Sequence, residues 1–247
     1  MNISDNTIFI AGATSGIGLG LALRLHEAGN TVIIGGRRAA LLDQVAAENP
    51  GIATVRIDTT DTDDVNRAAA EVIQRFPAVN VVVAMSGIMR PEDLTTPDFL
   101  ATAELEVDTN IMGPLRLVAA FTDALTGKDG ATFITVSSGL AFTPMVGTPT
   151  YSATKAAIHS LSESLRMQLS DKGIDVLELV PPAVQTDLMP GQAEAEWAMP
   201  LDEFLTEVMS LLPAADREIL VERVKPLRFS EQSGQHDELV RQLAHLS

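Results

Sequence analysis

Cysteine is missing from all 247 residues, which excludes disulfide bridges, thiolate catalysis and Cys-ligated zinc or iron–sulfur centres. The absence does not choose a compartment. Bases are scarce too: 17 Lys and Arg stand against 33 Asp and Glu, a formal net charge of −16, and only four of the bases are Lys. Attachment to nucleic acid or to an anionic membrane relies on Lys and Arg displacing counterions, so neither is an expected partner. No Pro/Gly/Ser-rich linker, internal repeat or low-complexity tract divides the chain, and its length with 46% hydrophobic residues fits one soluble domain, residues 1–247, around one core. Met1 to Asp5 carries acid and no base ahead of the short run Ile8 to Ala11, so no secretory signal is visible and the cytoplasm is the expected location.

What is present is a rhythm. Apolar runs at Thr7–Ala11, Val32–Ile34, Ala53–Ile57 and Val79–Ala84 alternate with helical patterns reaching about Ala28, then spanning Leu41–Glu48 and Asp63–Phe76. A long helical pattern from about Phe99 to Leu125 leads to a strand at Thr132–Val136, and another from Tyr151 to Ser170 leads to Val176–Val180. Strands without polar alternation imply a parallel sheet covered on both faces, and right-handed crossovers make a three-layer, doubly wound α/β sandwich the economical topology. The last fifth differs: residues 191–222 carry eight acids and one base around an amphipathic helix whose Leu201, Phe204, Leu205, Val208, Met209 and Leu212 share a face. Residues 189–225 are therefore expected to form a lid over the substrate end of the sheet. Ile219–Val221 reads as either a short final strand or the start of a helix, and residues 230–247 as a polar, loosely held tail.

Gly12, Gly16 and Gly18 in AGATSGIG follow the first strand and open the first helix, where backbone N–H groups and the helix dipole favour a phosphate. A tight turn without a ligand is the competing reading. At the end of the second strand a dinucleotide site has an acid for ribose hydroxyls or an Arg for a 2′-phosphate. Here the strand ends Gly35-Gly36-Arg37-Arg38, with no acid between Glu27 and Asp43, which favours NADP(H) over NAD(H). The bland alternative makes the arginines solvated helix-start residues. Asp58 is placed to reach an adenine edge or to cap the next helix.

Tyr151 is the only tyrosine, and Lys155 lies at i+4 on the same helical face. An unperturbed phenol titrates near pH 10, and a cation held beside it favours the phenolate, so the pair is expected to lower Tyr151. Ser138, beyond the Thr132–Val136 strand, can donate to the same substrate oxygen.

With AGATSGIG, Asn110, the Val-Ser-Ser ending at Ser138 and YSATK at Tyr151–Lys155 in chain order, the sequence resembles a single-domain short-chain dehydrogenase/reductase of about 250 residues, over roughly Thr7–Leu188. The resemblance implies a Rossmann fold, Tyr151 as acid/base, Lys155 on the nicotinamide ribose, Ser138 orienting substrate, and Asn110 completing a tetrad. It also implies a cofactor site of Gly12, Thr14, Ser15, Gly16, Ile17, Gly18, Arg37, Arg38, Asp58, Gly87, Tyr151, Lys155, Pro181, Val184 and Thr186. Asn110 has a reading of its own, since Pro114 denies its carbonyl the normal helical N–H.

The chain also departs from the family pattern. Ala84-Met85-Ser86-Gly87 replaces Asn-Asn-Ala-Gly, which puts the stability of that turn in doubt, and Pro181-Pro182 replaces Pro-Gly. Family pocket positions hold Met89, Leu140, Phe142, Met145 and Leu188, with Trp197 and Met199 as further candidates, a lining that favours a hydrophobic carbonyl or alcohol. Arg90 is the one nearby base, more easily read as a solvated loop residue than as an anchor for an acid. The expected function is NADP(H)-dependent interconversion of carbonyl and alcohol without metal, in a homodimer or homotetramer. The alternatives are a cofactor-binding sensor with little turnover and an epimerase or dehydratase of the same fold.

Overall fold

The computed structural model describes residues 1–245. Seven strands form its sheet: β1 (Thr7–Ala11), β2 (Thr31–Gly36), β3 (Ala53–Arg56), β4 (Val81–Ala84), β5 (Thr132–Val136), β6 (Asp175–Val180) and β7 (Glu218–Leu220). All pairings are parallel, in the order β3-β2-β1-β4-β5-β6-β7. This is the doubly wound Rossmann arrangement, with sequential crossovers running outward in both directions from β1 and β4.

The alternation of side chains along each strand divides the core. Ile8 and Ile10 face one side with Val32, Ile34, Val81 and Val83, covered by Leu21 and Leu25 of α1 (Gly16–Glu27) and Leu42 and Val45 of α2 (Ala39–Glu48). Phe9, Ile33 and Val82 face the other, under Val65 and Val72 of α3 (Thr62–Arg75) and the helices that follow. There Phe9 stacks on Phe121 with ring centroids 5.3 Å apart.

The run from Phe99 to Leu125 is a continuous helical path whose register changes in the middle. α4 (Phe99–Val107) passes through one π-helical turn, Asp108–Met112, into α5 (Gly113–Leu125). Pro114 has no N–H to continue the i→i+4 ladder, and the Gly113 N–H instead reaches back five residues to the Asp108 carbonyl. Arg116 fastens this turn to the start of α3, donating to Asp108 Oδ1 at 2.8 Å, the Thr59 carbonyl at 3.0 Å and Thr62 Oγ1 at 3.0 Å.

α6 (Pro149–Ser170) starts with proline in its first turn, where a missing N–H costs nothing. α7 (Leu201–Leu211) buries Phe204, Leu205 and Val208 in the α1 side of the core and lies against α1 at Gly20, where an added Cβ would meet Leu205. Within residues 189–225, expected as a lid, Met189 lines the apolar groove described below while α7 packs on the sandwich; Thr186, Asp187 and Leu188, just before them, line the cleft.

The open choice at Ile219–Val221 resolves as strand for Ile219 and Leu220 of β7, paired with β6 through Leu179 and Ile219, while Val221 leads into a short helical turn. A short turn of helix, α8 (Lys225–Arg228), precedes the tail. The tail is tied in at Ser230, whose hydroxyl is 2.8 Å from Thr143 Oγ1, and then forms α9 (His236–Ala244), none of whose residues is fully buried. Its last two positions, 246 and 247, lie outside the described residues. Among the described residues, no helix is long and apolar enough to cross a membrane.

Candidate active site

A cleft of about 390 Å³ opens at the carboxyl ends of the central strands, the place where the strand order reverses in such sheets. Gly12, Thr14, Ser15, Gly16, Ile17 and Gly18 line it together with Arg37, Arg38, Asp58, Gly87, Lys155 and Thr186, the last set against Gly16. The turn exists only because these glycines lack a side chain. Gly12 holds φ +94°, and a Cβ there would fall 2.5 Å from the Ser86 backbone nitrogen. Ser15 at the N-cap of α1 makes no capping hydrogen bond, so the first-turn N–H groups of that helix have no side-chain acceptor and face a site shaped for an anion.

Arg38 bends back over this turn, donating to Thr14 Oγ1 at 2.9 Å and approaching Ser15 Oγ at 3.4 Å. That placement differs from a freely solvated helix-start residue. Arg37 is exposed on the same rim. Asp58 does not cap α3: the cap is Asp61, which accepts from the Asp63 and Asp64 N–H groups at 2.9 and 3.2 Å. Asp58 instead faces the cleft with its Oδ1 held by the Thr60 N–H at 3.0 Å and hydroxyl at 2.8 Å.

Tyr151 and Lys155 lie on the buried face of α6. Lys155 Nζ donates to the Val136 carbonyl at 2.8 Å and sits 5.5 Å from the Tyr151 ring centre. Ser138, just past β5, acts on the Tyr151 phenol, and its Oγ accepts from the Leu140 N–H at 3.1 Å. The expected lowering of Tyr151 is not the net effect here. Burial pushes the phenol up, Ser138 pulls it down, and the negative charge of Glu106 adds to the rise. Burial likewise presses Lys155 down to about 8, against the pull of Glu106 and Glu178.

Asn110 sits in the π turn. Its side chain grips the loop after β4 at both ends of one residue: Oδ1 accepts the Ile88 N–H at 2.9 Å and Nδ2 donates to the Ile88 carbonyl at 2.9 Å, with Thr154 Oγ1 at 3.2 Å. Glu106, one turn earlier, accepts the Arg90 N–H at 2.8 Å. These bonds tie down Ile88 and Arg90, directly after the turn at residues 84–87. Gly87 leaves the space between them and the lysine open, since a Cβ would lie 3.5 Å from Asn110 Oδ1 and 3.6 Å from Lys155 Nζ.

The pocket residues divide. Met89, Met145 and Tyr151 form one apolar cluster with Leu140 and Met189, and Leu188 lines the cleft. A broader, mostly apolar groove of about 1130 Å³ begins at Leu140, Met145 and Met189 and runs toward Leu94 and Val146. Phe142 is not among these residues: it is packed edge-on against His159 at 4.6 Å with the Arg228 guanidinium 4.3 Å over its ring. Val184 and Met199 are buried core residues joined by a parallel bridge. Pro181 accepts the Gly139 N–H at 2.9 Å, and Trp197 is exposed. Sequence reasoning missed Glu106, Thr109, Met85 and Ser86. Thr109 lines the cleft with a buried hydroxyl that has no protein partner.

Comparison with known proteins agrees with this geometry. Residues 6–197 match the family model described as short chain dehydrogenase. An uncharacterised oxidoreductase of Bacillus subtilis strain 168, DltE, is 34% identical over 98% of both chains. A short-chain dehydrogenase from Burkholderia cenocepacia, solved in complex with NADP, superposes with TM-score 0.82 at 26% identity, covering 97% of this chain and 99% of its own. A 3-ketoacyl-(acyl-carrier-protein) reductase from Brucella melitensis, complexed with NADH, shares the fold at TM-score 0.78 and 23% identity over 88% of this chain and 97% of its own. With a family model spanning most of its length and a full-length oxidoreductase relative, the chain belongs to the short-chain dehydrogenase family.

Proposed function

We propose that this protein is an NADP(H)-dependent oxidoreductase that interconverts a carbonyl and an alcohol on small to medium hydrophobic substrates. The observation that carries the reading is the buried Tyr151 with Lys155 one turn on, 5.5 Å from its ring centre and lining a glycine-walled cleft.

The cleft fits a dinucleotide phosphate. Its turn admits no side chain at Gly12, its helix N-terminus has no side-chain cap, and Thr109 offers an unpaired buried hydroxyl. Arg38 and Arg37 would hold a 2′-phosphate, since a guanidinium pairs with phosphate in a fixed fork and no acid at the end of β2 opposes it. When bound, the nicotinamide supplies or takes the hydride. Tyr151 gives its proton to the carbonyl oxygen in reduction and recovers it in oxidation. Ser138 orients that oxygen, and Lys155 places a positive charge beside the phenol as it loses its proton. Asn110 keeps the loop at Ile88 in place. The Met89, Met145 and Leu140 cluster next to Tyr151 supports an apolar substrate.

A homodimer or homotetramer is part of this reading. Leu100, Val107 and Met112 on the α4–α5 helix and Met167 on α6 are exposed apolar side chains that pairing of copies would cover. Light scattering at the mass of one chain would contradict it.

A paired assay with NADH and NADPH against a panel of ketones and aldehydes tests the activity. Turnover is expected with NADPH at lower KM. Cofactor binding without oxidation across the panel would replace the enzyme by a sensor.

A further inference from the structure

Glu106 of α4 is 0% exposed. One carboxyl oxygen is spent on the Arg90 N–H at 2.8 Å, and the other is buried with no hydrogen-bond partner. Holding the loop needs only one neutral acceptor, which a glutamine amide would supply. The second oxygen is therefore unexplained by packing, because a buried carboxyl without partners is costly to keep.

The groups that act on Glu106 come from two elements. Arg90 and Glu92 approach from the loop after β4, and Lys155 from α6, while Glu106 in turn acts on Tyr151. Glu92 is fixed by accepting the Thr150 N–H at 3.0 Å in the first turn of α6, and its other oxygen is also buried without a partner. Lys155 in turn is acted on by two acids, Glu106 of α4 and the buried Glu178 of β6.

We propose that Glu106 is a positioning residue whose carboxylate charge keeps Lys155 protonated beside Tyr151. This deepens the reading of the site as a reductase. Burial and the neighbouring Glu92 charge raise the Glu106 carboxyl to about 7, while Lys155 is pressed down to about 8. As pH rises through neutrality, Glu106 becomes negative, and the position of Lys155 already includes the pull of that charge and of Glu178. The new charge pulls the lysine's proton affinity up and the phenol's with it. The acid form of the pair then survives to higher pH than burial alone would permit.

The test does not depend on turnover. With only four lysines in the chain, 13C-labelled lysine side chains give a small set of NMR resonances, and Lys155→Met assigns the one of interest. In Glu106→Gln, which keeps an acceptor for Arg90, the Lys155 midpoint is expected to fall by about one pH unit; an unchanged midpoint overturns the proposal. In the unmutated chain the same resonance should show a smaller first step as Glu106 ionises, so the proposal is decided even if the variant does not fold, and a single smooth step overturns it.

Activity supplies the second readout. The ratio of wild-type to Glu106→Gln reduction rates should grow about tenfold between roughly pH 6 and pH 9. A ratio constant across pH would mean that Glu106 only braces the loop. Absence of turnover in the wild type would sink the reductase reading itself and leave the NMR result to stand alone.

Discussion

Lys155 Nζ and the Val136 carbonyl oxygen are 2.8 Å apart, so the amine expected to serve Tyr151 is moored to the last residue of β5. The bond fixes the lysine's position along the helix and leaves its charge to be shared with the tyrosine 5.5 Å away. Tyr151→Phe removes the proton donor and leaves this mooring intact. It should lower the rate of carbonyl reduction by about 10²-fold or more, while NADPH still binds as read by fluorescence titration. Near-wild-type turnover would refute Tyr151 as the acid.

Arg38→Ala removes the guanidinium that lies over Thr14 and Ser15. The loss of a charge-assisted phosphate contact should raise KM for NADPH about tenfold and leave NADH within about twofold. Equal changes for both cofactors would show that Arg38 only shapes the glycine turn.

Gly12→Ala asks a residue with a Cβ to hold φ +94° with the Ser86 backbone 2.5 Å away. Left-handed strain of about 1–3 kcal/mol is expected before the clash with Ser86 is counted. The melting temperature should drop, and NADPH binding should weaken beyond what the loss of stability explains. An unchanged melt would mean that the β4 turn can yield.

His159 is raised above its ordinary 6.5, first by the hydrogen bond to the buried Glu178, then by the charges of Glu178 and Glu218, against burial and Arg228. Its protonated form is thus favoured in the folded state. The stability it adds is complete below 6.5 and is lost as pH climbs through the raised value. The difference in melting temperature between the wild type and His159→Gln should be largest under mildly acidic conditions and shrink toward alkaline ones. A difference that widens with pH would reverse the assignment.

Most of the fold could be read because its strands advertise themselves. Thr132–Val136 is buried at every position, and a run of that kind between helical patterns has few other meanings. Ile219–Val221 could not be read because three residues do not establish a period, and only the pairing of Leu179 with Ile219 makes the first two of them strand.

The site followed the same division. Gly12, Tyr151 and Lys155 were legible through spacing, since a turn and a helix face fix where such side chains go. Phe142 was not, because a residue directly after the short helical turn Gly139–Ala141 can point to either side, and here the Arg228 guanidinium and His159 ring take it. Glu106 was invisible for a different reason. An acid in an exposed-looking helical pattern reads as solvated, and only the loop folded over it reveals that it is buried.

The π turn at Asp108–Met112 sets where α4 points relative to α5. A turn of this kind spends five residues where an α-helix spends about four, so the helix before it is rotated by roughly one residue, about 100°, against the phase set by α5. Glu106 lies eleven residues before Leu117, about three turns, where a straight α-helix would set it on the Leu117 face; with the π turn between them it meets the Arg90 N–H of the loop after β4 instead. Asn110 and Glu106 occupy their places because this one helix keeps two phases, and deleting a single residue at the join would bring them into one and turn the buried acid away from the lysine.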